Sequence, residues 1–236
     1  MEKINFTYFS SLKGEFEAEG LGRDDIAAES LFAARNGLDY LVKIGGCEAK
    51  ADINYLVSLG ITSLVAPMIE TPFAMEKYME SLPDDGFNHV SVTIETITAV
   101  NNIAEIIDAG TKLTEVTIGR TDLTASYRGP GVDSVETMDM VRKVARLAKQ
   151  KNLKVTMGGS INKATRTFLL NDPEIKDLLD YVETRKVVMP IQKFLDEDAL
   201  TNALKLEVFL LDRRISEAEK ITSAATKRKN SITSRG

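Results

Sequence analysis

Residues 40–81 read as two successive strand–helix units. Tyr40-Leu41-Val42-Lys43-Ile44 is followed by a helix over Lys50–Leu59 and Gly60, then Ser63-Leu64-Val65-Ala66-Pro67 by a helix over Pro72–Ser81. The apolar runs are short and β-branched, the intervening segments have helical spacing, and Gly60 sits where a left-handed C-cap favours a residue without Cβ. Strands joined through a helix run parallel, because the crossover returns the chain to the same end of the sheet. The alternation continues in both directions. Further strands are expected at Gly14–Glu17, Val90–Ile94, Glu115–Ile118, Lys154–Met157 and Tyr181–Val187. Further helices are expected at Asp24–Asn36, Ala99–Ala109, Ser134–Lys151, Lys163–Leu170 and Glu197–Ile221.

Seven such units, with no Gly-x-Gly-x-x-Gly after the first strand, predict a closed TIM-type (β/α) barrel rather than an open dinucleotide-binding sheet. An eighth strand is not evident. Asn5–Phe9 is strand-like but lies too close to Gly14 for a helix to intervene, so either a shortened or irregular first unit or an incomplete barrel is expected. In the long last helix Leu200, Leu204, Val208, Leu211 and Ile215 recur at helical spacing, a stripe suited to the barrel bottom or to another subunit. Residues 1–221 read as one domain, and the Ser/Thr/Lys/Arg-rich residues 222–236 as a disordered tail.

The composition narrows the function. The net charge of −5 provides no basic field to gather phosphates, which argues against a nucleic-acid partner. No apolar run approaches the roughly 20 residues a membrane span needs, and no charged segment leads into an apolar one at the start. The single cysteine, Cys47, supports neither a disulfide nor a thiolate metal site. The expectation is a soluble cytoplasmic protein. The single histidine, His89, opens the fourth strand and so falls at the end opposite the ligand-binding face.

Barrels of this type bind ligands at the carboxyl ends of their strands. That rule selects Glu17 and Glu19, Lys43, Glu70, Glu95, Arg120 with Asp122, Ser160, and Glu183 with Arg185. Glu15, Glu17 and Glu19 alternate and would share one face of the first strand. Thr184-Arg185-Lys186 lies within reach of an acidic substrate tail or of Asp180 and Glu183. Two stretches stand out: Val92-Thr93-Ile94-Glu95-Thr96 and, one unit later, Val116-Thr117-Ile118-Gly119-Arg120-Thr121-Asp122-Leu123-Thr124-Ala125-Ser126. They bring one carboxylate each, Glu95 and Asp122, to neighbouring strand ends. Two carboxylates completed by substrate oxygens and water suit an octahedral Mg²⁺ or Mn²⁺. Gly119 allows a ligand close to the backbone, with Thr121 and Glu17 as further candidate substrate contacts. For Arg120, a ligand role and a structural ion pair with Glu95 or Glu183 are both open.

These residues, in this order and spacing, resemble the HpcH/HpaI aldolase and citrate lyase β-subunit family of pyruvate/phosphoenolpyruvate barrels. The resemblance spans Leu38 to Met189 and includes Val65-Ala66-Pro67-Met68-Ile69-Glu70-Thr71. It implies a divalent-metal-dependent aldolase-type lyase acting on a pyruvate-like keto acid, with Glu95 and Asp122 on the metal. It also implies a homo-oligomer built through the last helix. Lys43 falls where the family usually has an arginine that steadies the enolate oxygen. A citrate-lyase-like acyl-CoA lyase and a non-catalytic keto-acid-binding barrel are the alternatives. The acid/base histidine of many family aldolases is missing from Lys43-Ile44-Gly45-Gly46-Cys47-Glu48, which leaves a metal-bound water, Glu48, Glu17 or Lys43 to move the proton.

Overall fold

The computed structural model describes residues 4–235. After a 3₁₀ turn at Phe6–Tyr8 come β1 (Ser11–Glu15), α1 (Arg23–Arg35), β2 (Asp39–Lys43), α2 (Lys50–Ser58), β3 (Ser63–Ala66) and α3 (Pro72–Ser81). The chain continues through β4 (His89–Ile94), α4 (Ile97–Asn101), α5 (Ile103–Ala109), β5 (Glu115–Gly119), α6 (Arg120–Ser126) and α7 (Val135–Gln150). It ends with β6 (Lys154–Gly158), α8 (Lys163–Asn171), α9 (Pro173–Leu178), β7 (Tyr181–Glu183), β8 (Val187–Pro190), α10 (Ile191–Phe194) and α11 (Glu197–Thr233). The eight strands close a barrel in chain order.

Alternation along the strands sorts the side chains. Val90, Val92 and Ile94 of β4, with Val116 and Ile118 of β5, face outward into the main hydrophobic core beneath the helices. Ser91, Thr93, Glu115 and Thr117 face the barrel interior, where Leu41, Val65 and Val188 form a separate small apolar cluster. The interior is therefore largely polar, and its charged residues must pair or bind something.

Closure departs from the expected arrangement. The segment Tyr181–Val187 is two strands, with β8 antiparallel to both β7 and β1. Thr184 N–H donates to the Val187 carbonyl at 2.9 Å and tightens the turn between them. Lys186 anchors this turn against α1 and the β1–α1 loop: its Nζ lies 2.8 Å from Glu19 Oε2 and 2.9 Å from both Glu29 oxygens. The irregular unit is thus the last and not the first, which is a complete β1–α1 pair, and Asn5–Phe9 is a turn.

The expected helix Ala99–Ala109 breaks at Asn102, whose amide donates to the Glu70 carbonyl at 2.8 Å. α11 runs to Thr233, so the segment expected to be a disordered tail is helical to that point. Ala, Lys and Arg sustain it, and no Gly or Pro interrupts before Gly236. Leu204, Val208, Leu211 and Ile215 lie exposed along it. No described helix is long and apolar enough to cross a membrane.

Candidate active site

A cavity of about 420 Å³ opens at the carboxyl end of the barrel, lined by residues that include Lys13, Glu15, Lys43, Glu95, Asp122 and Glu183. Glu95 immediately follows β4 and Asp122 lies in the first turn of α6 directly after β5, so neighbouring parallel strands present both carboxylates. Glu95 is 2 % exposed. Its Oε1 accepts the Met68 N–H at 3.0 Å, and its Oε2 lies 3.5 Å from Lys43 Nζ. Met68 carries a left-handed backbone (φ 53°) to present that N–H, a conformation a non-glycine residue holds only when its surroundings fix it. Burial pushes the Glu95 carboxyl above the usual range; Lys43 and the Met68 N–H pull it back, and the charge of Asp122 adds to the rise.

Gly119 is required here for close approach. A Cβ on it would fall 2.9 Å from Glu95 Cβ and 3.1 Å from Oε2. Gly158 plays the same part on the other side, where a Cβ would meet Glu183 Cγ at 2.8 Å. The two glycines leave room inside the barrel mouth for the two glutamates.

Beneath the mouth lies a buried ion cluster. Lys13 Nζ is 2.7 Å from Glu183 Oε1 and 3.0 Å from Glu15 Oε1. Burial disfavours the charge on Lys13, but Glu183 and then Glu15 outweigh it and hold the ammonium above its usual range. Burial likewise opposes charge on Glu15, and Lys13 and Lys43 more than offset it.

The structure gathers Lys43, Gly119, Thr121, Glu95 and Asp122 around one cavity. Two of the expected site residues stand apart. Glu17 is exposed beyond the end of β1 and does not line the cavity, because the strand stops at Glu15. Arg120 is fully buried and turned away. Its Nη1 bonds Asp133 Oδ1 at 2.5 Å, its Nε the Gly158 carbonyl at 3.1 Å and its Nη2 the Gly159 carbonyl at 2.9 Å. It clamps the β6–α8 loop, so its partner is neither Glu95 nor Glu183. Lys13 escaped the sequence reading. The available signal was its place two residues before Glu15, which puts both side chains on the same face of the strand.

The pair Glu95 and Asp122 can offer a hard cation two carboxylates. Among the described residues no group of three or more His, Cys, Asp or Glu side chains is arranged to hold a metal ion. A cation here would take its remaining oxygens from substrate and water, as Mg²⁺ commonly does. A buried carboxylate, Glu95, raised further by the charge of the exposed Asp122 at the cavity mouth, fits that role.

No curated protein sequence matches the chain significantly. Solved structures match at the level of the fold. The HpcH/HpaI aldolase from Desulfitobacterium hafniense DCB-2 is 14% identical with a TM-score of 0.60, over 84% of this chain and 82% of the other. An HpcH/HpaI aldolase/citrate lyase family protein from Burkholderia cenocepacia J2315 is 17% identical (TM-score 0.59, 69% and 76% covered). The citrate synthase SbnG is 10% identical (TM-score 0.62, 88% and 85% covered). The sequence profile of HpcH/HpaI aldolase/citrate lyase matches residues 27–168, more than half of the chain and all of the Glu95–Asp122 region, and the chain belongs to that family.

Proposed function

We propose that the protein is a divalent-metal-dependent carbon–carbon lyase of the aldolase type, making or breaking the bond next to the carbonyl of a pyruvate-like 2-keto acid through an enolate. The observation that carries this reading is the placement of Glu95 and Asp122 on one cavity wall with Lys43 3.5 Å from Glu95. Mg²⁺ or Mn²⁺ bound by the two carboxylates would draw charge from the keto-acid carbonyl. Lys43 offers a positive charge for the developing enolate oxygen, as a point charge without the two-pronged fork of an arginine. Thr121 and the backbone beside Gly119 line the same wall and would orient the substrate carboxylate.

Methyl-proton exchange of pyruvate in D₂O, followed by NMR, tests the reading. Exchange is expected with Mg²⁺ or Mn²⁺, none with chelator, and none in Glu95→Gln. Pyruvate binding without any exchange would instead support a non-catalytic keto-acid-binding barrel.

A further inference from the structure

The keto-acid reading needs a group that takes a proton from carbon and returns it. Among the described residues His89, the only histidine in the chain, lies at the far end of the barrel, beside Glu115. Glu17 and Glu48 are exposed and do not line the cavity. Lys43 is engaged with Glu95. Glu183 is packed over Gly158 and bonded to Lys13 at 2.7 Å.

Glu15 differs from these. It is the last residue of β1, paired in register with Lys43 on β2, so both side chains leave the strands on the same side and line the same cavity. One carboxylate oxygen rests on Lys13 at 3.0 Å, which fixes the side chain, while the other makes no hydrogen bond among the described residues. Lys43 in turn reaches Glu95, so Glu15, Lys43 and Glu95 form a row from the first strand to the carboxylate pair. Lys13, Glu15 and Glu183 all lie outside residues 27–168, the part that matches the family profile.

On the basis of the proposed keto-acid chemistry, we infer that Glu15 is the acid/base of this enzyme, its unbonded carboxylate oxygen facing the methyl carbon of a keto acid whose carbonyl oxygen lies at Lys43. In the bond-forming direction the C–H bond of the methyl group breaks and its proton passes to Glu15. The electron pair forms the C=C bond of the enolate. When the enolate carbon attacks an aldehyde, the new alkoxide takes the proton back from Glu15, so no proton is gained or lost. Lys13 keeps the carboxylate in place and charged between turnovers.

The test separates proton transfer from binding. Pyruvate methyl exchange in D₂O and oxalate binding by calorimetry are both measured with Mg²⁺ present, in the unmodified protein, Glu15→Gln, Glu15→Asp and the exposed control Glu48→Gln. Glu15→Gln is expected to lower exchange by about 100-fold or more, as loss of a general base does, while oxalate affinity stays within about threefold. Glu15→Asp keeps the charge beside Lys13 but draws the oxygen back by one methylene, and an exchange rate reduced by about tenfold or more is expected. Glu48→Gln is expected to exchange at the unmodified rate. If either Glu15 variant exchanges as fast as the unmodified protein, the assignment of Glu15 is overturned while the keto-acid reading stands. If the unmodified protein shows no metal-dependent exchange, the keto-acid reading falls and the assignment with it.

Discussion

Glu115 offers a quantitative test of how the polar barrel interior is stabilised. It opens β5 at the amino end of the barrel, 2 % exposed, and accepts a hydrogen bond from Thr156 Oγ1 at 2.8 Å. Its Oε2 lies 3.6 Å from His89 Nε2, which has no hydrogen-bond partner among the described residues. Burial pushes the Glu115 carboxyl from the usual 4.5 up to about 8; Thr156 opposes the rise, and Glu183 and Asp180 add to it. The folded protein therefore keeps a proton that the unfolded chain releases, and stability falls as pH rises through the window between those values. With about 1.4 kcal/mol per pH unit, the loss between about pH 5 and about pH 8.5 is on the order of 4 kcal/mol. Glu115→Gln mimics the neutral acid: its carbonyl can accept from Thr156 and its amide can face His89. The variant should match the unmodified protein in urea unfolding near pH 5 and exceed it by several kcal/mol near pH 8.5. Burial holds His89 below its usual range, which gives a stability term of opposite sign, but that term is common to both proteins and cancels in the difference. Equal stabilities of the two proteins at the higher pH would refute the reasoning.

Three further outcomes follow from the geometry. Lys13→Met leaves Glu15 and Glu183 facing each other unpaired in the interior and should cost about 3–5 kcal/mol in urea unfolding, partly recovered by adding Glu183→Gln. Gly119→Ala drives a Cβ to within 2.9 Å of Glu95 Cβ, so the carboxylate must turn. Calorimetry should show oxalate affinity with Mg²⁺ lowered by about tenfold, corresponding to about 1.4 kcal/mol. We also propose that the exposed stripe Leu204, Val208, Leu211 and Ile215 on α11 packs against a second copy of the chain. Light scattering should give an oligomeric mass that falls toward 26.0 kDa in Leu211→Glu/Ile215→Glu, and a monomeric mass for the unmodified protein would contradict this.

Much of the barrel was legible because short β-branched apolar runs alternate with helix-period segments, and in β4 and β5 the outward residues also alternate with polar ones. Val92-Thr93-Ile94-Glu95 and Val116-Thr117-Ile118-Gly119 encode both the strand and the end at which chemistry sits. The hairpin β7–β8 was not, because Thr184-Arg185-Lys186 contains no Gly, Pro or Asn to mark a turn. What bends the chain there is Lys186 reaching Glu19 and Glu29, contacts made across 157 and more residues. Arg120 shows the same limit. It stands beside Asp122 in a ligand-like motif, yet burial against Asp133 and two backbone carbonyls decides its orientation, and only the folded loop reveals them. The Glu15–Glu17–Glu19 series was read as one charged face. The strand ends after its first member, so the three glutamates separate into a cavity wall, an exposed loop and a buried partner of Lys186.

The central claim is that Glu95 and Asp122 jointly hold a divalent cation on which a keto acid is bound. Calorimetric titration of oxalate, a planar mimic of the enolate, tests it most directly. Binding is expected with Mg²⁺ or Mn²⁺, and should be abolished by chelator and by Asp122→Ala. Oxalate binding that persists unchanged in Asp122→Ala, or with the metal removed, would contradict the account.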